Sequence, residues 1–351
     1  MPREPLTRVQ GANGVLLDVR EPDPGRPDAP SGVPSGPQDG AQPGSRSRAV
    51  YQKPEKPTAA YEEVLAPDGR RLIVSEWGKR SGQPVFIMHG TPGSRIGVAP
   101  RSSVLYRMGV RLISYDRPGY GRSDRDAGHS VVSAADDVLA IAKYLGLSRF
   151  AMVGRSGGGP HALACAARLP DMVTKVAALV SLAPRVGKDG MGDEAWFREM
   201  TQSNIDEYTR ARQGIEALEP ALRLRAETIR NDPSALISQL REEIHASDRR
   251  VIEDAGIRQM LKSNYHEALL GRGDGWIDDA MAFIGDWGFE LSEIKVPVLL
   301  WHGKEDVFAP VNHSRWLAER IAGSELRIED GKAHFDAMSE LPDLLPWLRQ
   351  P

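Results

Sequence analysis

The stretch RFAMVGRSGGGPHALACAAR, residues 149–168, runs an apolar strand (149–154) into a glycine-rich turn and then into an Ala-rich helix over His161–Arg168. Within it, Gly154-Arg155-Ser156-Gly157-Gly158 fits G-x-S-x-G, and the strand before it and the helix after it supply the context that motif needs. Glycines allow a sharp turn where side chains would collide. Such a turn lifts the Ser156 hydroxyl clear of a sheet. It also sets the unpaired N–H groups of a helix N-terminus beside a reacting carbonyl. Ser156 is therefore the candidate nucleophile; the competing reading is a strand–helix turn with an incidental serine.

Working outward, YEEVLA and RRLIVSEW flank Pro67-Asp68-Gly69 and predict a β-hairpin. PVFIMHG (84–90), RLISYD (111–116), KVAALVSL (175–182), VPVLLWHG (296–303) and ELRIED (325–330) read as further strands. Helical spacing covers 99–108 and Val131–Leu145, the latter stopping at Gly146. Strands alternating with helices predict an α/β fold with a mostly parallel central sheet flanked by helices. Residues 185–293 break the alternation. They carry helical signals at Asp193–Gln202, Asn204–Leu218, Pro233–His245 and Arg258–Leu270, which predict an inserted all-helical cap. This insertion holds 22 acidic and 14 basic residues, a net −8, against +5 elsewhere.

A serine needs a general base. Asp306 follows one predicted strand and His334 follows the last, so both sit where strand ends on one edge of a parallel sheet converge. The order Ser156, Asp306, His334 supplies nucleophile, orienting acid and base. Glu305 competes with Asp306 for the acid role.

With these residues in place the chain resembles the α/β-hydrolase superfamily, serine-nucleophile type with a helical cap. The resemblance spans 61–350. His89-Gly90-Thr91-Pro92-Gly93 is similar to the family's oxyanion loop, and Tyr115 to Ser123 (YDRPGYGRS) to the loop after the next strand. It implies an oxyanion hole from the backbone N–H groups of Thr91 and Gly157, a loop-holding role for His89 and Asp116, and a core at 59–184 and 294–351 around a cap or lid at 185–293. Tyr120 is a candidate pocket residue. The base motif, commonly Gly-His in the family, here reads Ala333-His334, which strains the backbone if Ala333 has a positive φ. Arg155 has two readings: turned away it forms a structural ion pair, turned inward it binds an acidic group of the substrate.

Composition narrows the rest. Hydrophobic residues make up 40% and charged residues 26% of 351, an ordinary globular balance. A net charge of −3 leaves no basic footprint for nucleic acid, and no apolar run is long enough to span a membrane. The lone Cys165 excludes a disulfide scaffold, and with no secretory signal the expected location is cytoplasmic. No histidine spacing suggests a metal site, and no cofactor is implied. Residues 1–58 read as a disordered tail, since 12 of the 24 residues from Glu21 to Gly44 are Pro or Gly. The expected activity is cleavage of a small to medium, largely apolar carboxylic ester or thioester through an acyl-enzyme, with a small-molecule substrate as partner and a mainly apolar pocket under the cap. The same fold also serves C–C bond hydrolases, perhydrolases, lyases and cyclases, and a non-catalytic receptor is the third reading.

Overall fold

The computed structural model describes residues 7–10, 16–19, 61–97 and 100–349. Contacts divide the chain into two units, 1–56 and 57–351. In the first, β1 (Thr7–Gln10) pairs antiparallel with β2 (Leu16–Val19). That pairing falls inside the segment read as a disordered tail; the remainder of 1–58 lies outside the described residues.

The second unit is built on an eight-stranded sheet. Its strands are β3 (Tyr61–Leu65), β4 (Arg71–Gly78), β5 (Gln83–Met88), β6 (Val110–Tyr115), β7 (Phe150–Arg155), β8 (Val173–Leu179), β9 (Val298–Gly303) and β10 (Glu325–Glu329). Their order across the sheet is β10-β9-β8-β7-β5-β6-β4-β3. Pairs from β10 to β6 are parallel; β4 pairs antiparallel with both β6 and β3. The β3–β4 hairpin turns at Gly69, whose φ of +88° is a conformation that L side chains rarely adopt.

Both faces of the sheet are covered. Phe86, Met88, Phe150 and Met152 belong to one buried cluster, while Val85, Ala151 and Val153 belong to another. Alternate residues thus enter opposite cores, which is why these strands read as continuous apolar runs. Helices α1 (Ser102–Arg107), α2 (Ala134–Tyr144) and α3 (Gly158–Arg168) belong to the crossovers that follow β5, β6 and β7. Seven helices follow β8: α4 (Asp193–Phe197), α5 (Gln202–Gln213), α6 (Ile215–Asn231), α7 (Pro233–Glu243), α8 (Ala246–Glu253), α9 (Ala255–Ala268) and α10 (Asp274–Ile284). Then α11 (Asn312–Arg320) bridges β9 and β10, and α12 (Ala337–Arg349) packs on β7, β8 and β9.

The insertion differs in detail from its sequence reading. One helix expected over Asn204–Leu218 is broken at Gly214, whose φ is +112°. Two helices, α8 and α10, lie where none was expected. Among the described residues no helix is long and apolar enough to cross a membrane.

Candidate active site

Consecutive strands leave β5 toward opposite sides of the sheet, to β6 on one side and β7 on the other. A crevice opens at such a reversal, beyond the carboxyl ends of the strands. Ser156 stands there, directly after β7, with φ +54°. A positive φ at a non-glycine residue is a strained conformation that the surroundings must enforce. They do so through close approach: a Cβ on Gly154 would lie 2.4 Å from the Gly158 carbonyl oxygen, and one on Gly158 would lie 2.2 Å from that of Met88. Only glycine fits at either position, and the Ser156 N–H is held by the Leu179 carbonyl at 2.8 Å.

Gly157, at the N-terminus of α3, abuts the loop after β5. A Cβ there would sit 2.3 Å from Thr91 Oγ1. The two residues expected to donate to an oxyanion are therefore neighbours. His89 holds this loop from below: its Nε2 accepts the Arg117 N–H at 3.1 Å and its Nδ1 bonds the Gly90 carbonyl at 2.8 Å. Asp116 fixes its own loop, accepting from the Arg122 N–H, and also accepts from the Arg95 N–H and guanidinium.

Asp306 and His334, the expected acid and base, follow β9 and β10. Asp306 lies in the turn after β9, where its Oδ1 accepts from the N–H groups of Phe308 (2.8 Å) and Ala309 (3.2 Å). Its Oδ2 meets His334 Nδ1 at 2.8 Å and His302 Nε2 at 3.3 Å. Burial raises the Asp306 pKa, but the two imidazoles outweigh it and hold the carboxyl well below its usual range. Glu305 instead accepts the Gly331 N–H at 3.0 Å and does not reach the imidazole. Ala333, the departure from Gly-His, is not among the positive-φ residues, so its methyl brings no backbone strain. Its N–H donates to Asp336 Oδ2 at 2.8 Å.

Ser156 and His334 line one cavity. No direct hydrogen bond joins the two side chains among the described residues. Such bonds often tighten only when substrate is bound. The cavity wall is mixed rather than mainly apolar. Its lining combines Leu182, Phe283, Phe308 and Phe335 with Arg155, Asn204, Glu207 and Arg225, and with Tyr208, Tyr265 and Trp276. Among the aromatic residues of the helical insertion, Tyr208, Tyr265, Trp276 and Phe283 reach this wall, whereas Trp196 and Trp287 are buried in the apolar core.

Tyr120, expected as a pocket residue, is a correction. It is fully buried, lies outside the cavity wall, and donates its hydroxyl to Asp279 Oδ2 at 2.7 Å. Asp279, on α10, gathers donors on both oxygens. Oδ2 accepts from Thr91 Oγ1 at 2.6 Å, from Tyr120 and from the Arg117 guanidinium; Oδ1 faces His161 Nε2 at 3.1 Å and His129 Nε2 at 3.4 Å. Burial pushes the Asp279 pKa up, yet Arg117 and the two histidines hold it well below the ordinary value. Asp279, His129 and His161 are near enough together to hold a cation. Both carboxylate oxygens are already engaged, and Arg117 adds a fixed positive charge on the same group. The chemistry of the donor set therefore favours a hydrogen-bonded hub over a metal centre.

Asp248, on α8, is the other site residue the sequence reading missed. Its carboxylate accepts the backbone N–H of Phe335 at 2.6 Å and of His334 at 3.3 Å, so a residue of the helical insertion shapes the loop that carries His334. Burial raises its pKa to about 6 against the pull of His334. Adjacent acids in an otherwise apolar stretch, as in Trp276-Ile277-Asp278-Asp279-Ala280, were the available signal for Asp279. Asp248, among Ser247, Arg249 and Arg250, had none.

The chain is 29% identical over 287 residues to a non-heme chloroperoxidase of Streptomyces lividans, covering 80% of this chain and 95% of the relative. It is 26% identical over 294 residues to a bifunctional esterase/perhydrolase of Acinetobacter calcoaceticus, covering 82% and 99%. An esterase from Exiguobacterium antarcticum shares the fold with a TM-score of 0.61 at 23% identity, covering 82% of this chain and 99% of that one. The family model for the alpha/beta hydrolase fold matches residues 83–341, from β5 through the strained turn and the helical insertion into α12, and the chain belongs to that family.

Proposed function

We propose that the protein is a serine hydrolase that cleaves a carboxylic ester or thioester through an acyl-enzyme, with no cofactor. One observation carries this reading. Ser156, on its strained turn, shares a cavity with His334, whose Nδ1 is bonded to Asp306 at 2.8 Å. In the proposed reaction Ser156 Oγ attacks the carbonyl carbon while His334 Nε2 takes its proton. The oxyanion receives the N–H groups of Thr91 and Gly157, and each such donor is worth roughly 3–4 kcal/mol of transition-state stabilisation. The bond to the leaving group breaks as His334 returns the proton to that group. Water then attacks the acyl-serine, with His334 again accepting and returning a proton. Asp306 keeps the imidazole in the tautomer that leaves Nε2 free to accept.

The phenyl rings and Leu182 suit an apolar acyl or alcohol portion, while the arginine-bearing wall suits a polar one. The test is turnover of p-nitrophenyl esters of graded chain length by the parent and by Ser156→Ala. Hydrolysis lost in the variant supports the reading, and hydrolysis retained in it refutes the nucleophile.

A second reading rests on the relative named as an esterase/perhydrolase. Hydrogen peroxide in place of water would resolve the acyl-serine to a peracid and free serine. Peroxide- and acetate-dependent halogenation that Ser156→Ala abolishes would support it.

A further inference from the structure

Arg155, half-buried, is a charged group that the proposed chemistry leaves unused. It precedes the nucleophile and lines the Ser156 cavity together with Gly90, Thr91 and Tyr265, and also borders an adjoining cavity with Gly90, Ser94 and Asn264. Its Nη1 is buried without a hydrogen-bond partner. The buried arginines of the same region are paired: Arg117 with Asp279, and Arg95 with Asp116 and Glu267. The second arginine of the cavity, Arg225, has Glu207 at 3.3 Å and lies over the Trp276 ring. Arg155 has no carboxylate within ion-pair distance among the described residues. Burial pulls its pKa down, and Tyr265, Asp306 and Asp248 offset only part of that. Both of those carboxylates are committed to the base loop. The structural ion pair first expected of this arginine is thus not formed.

A buried cation is held in a fold when a counter-charge meets it. Here the charged groups on the cavity wall are two arginines against one carboxylate, Glu207, so the pocket is locally cationic inside an acidic cap. A guanidinium presents a planar fork of donors that matches a carboxylate edge to edge. We propose that Arg155 is the carboxylate-binding subsite of this cavity, and that the ester cleaved at Ser156 carries a free carboxylate close to its scissile carbonyl, as in a monoester of a short dicarboxylic acid. This inference rests on the hydrolase reading above for its turnover arm. The binding arm is independent of it.

The experiment compares the parent, Arg155→Met and Arg155→Lys on p-nitrophenyl butyrate and on the p-nitrophenyl monoester of glutaric acid, which differ by one terminal carboxylate. The parent is expected to prefer the charged ester in kcat/KM. Arg155→Met should lower the charged-to-neutral ratio roughly 30-fold, mainly through KM, the size of a lost charge-assisted contact. Arg155→Lys should keep part of the ratio, which separates a lost contact from a damaged fold. A parent preference for the butyrate ester, or an equal loss on both esters, overturns the proposal. In parallel, glutarate is titrated calorimetrically into Ser156→Ala and into Ser156→Ala/Arg155→Met. Saturable binding in the first that disappears in the second supports the subsite even if no ester is turned over, in which case the hydrolase reading alone fails. Ester turnover by the parent with no glutarate binding to Ser156→Ala keeps the hydrolase and overturns the subsite.

Discussion

Thr91 donates its hydroxyl to Asp279 at 2.6 Å, and this bond ties the loop after β5 to α10, 188 positions later. The loop that carries a proposed oxyanion donor is therefore fastened from above as well as from the sheet. Removing the carboxylate leaves Arg117 buried without its counter-charge. Asp279→Ala should cost about 3–5 kcal/mol of stability, the usual penalty for orphaning one side of a buried pair. Thr91→Val removes one of several donors and should cost about 1 kcal/mol. Urea unfolding midpoints of the two variants check the ranking; equal, small losses would show that the hub does not hold the cap.

The acid role divides two neighbours. Asp306 bonds the imidazole and Glu305 bonds the Gly331 N–H. Asp306→Asn should lower kcat by about 10⁴, as wrong-tautomer variants of such triads do, and Glu305→Gln should stay within a few-fold of the parent. Steady-state kinetics on one ester decides it, and the reverse ranking would exchange the two roles.

Stability should carry an unusual pH signature from Asp248. Its folded pKa is raised to about 6, above the unfolded value of about 4. Between these values the folded chain binds more protons than the unfolded one, so this group's contribution falls as pH rises from about 4 to about 6, by at most about 3 kcal/mol. Asp137, also raised to about 6, adds a slope of the same sign. Asp279 and Asp306 have the opposite sign: their depressed pKa values stabilise the fold above about pH 4, and that contribution is lost on acidification. Asp248→Asn should flatten part of the slope between pH 4 and 6 and leave the loss at lower pH in place. Denaturant titrations at pH 4.5, 6 and 7.5 measure it; an unchanged slope would remove Asp248 as its source.

Much of this was legible in the residues themselves. Strands such as Phe86–Met88 and Phe150–Val153 are apolar on both faces, so local composition alone marks them. The turn at Ser156 was legible because only glycine tolerates the crowding on either side of it. What stayed hidden depends on partners distant in sequence. Asp279 draws its donors from 118 to 188 positions away, and no local pattern encodes that meeting. The helix that carries it starts at Gly273-Asp274-Gly275, which reads as a loop until Gly275 is seen against the Tyr120 ring. The direction of Arg155 was open for the same reason, since a rotamer is chosen by neighbours that the sequence does not place.

The central claim is that Ser156 is an activated nucleophile. Its most direct measurement is intact-protein mass spectrometry after exposure to a fluorophosphonate, with Ser156→Ala alongside. The account predicts a single adduct on the parent and none on the variant. No adduct on a folded parent, or the same adduct on Ser156→Ala, would contradict it.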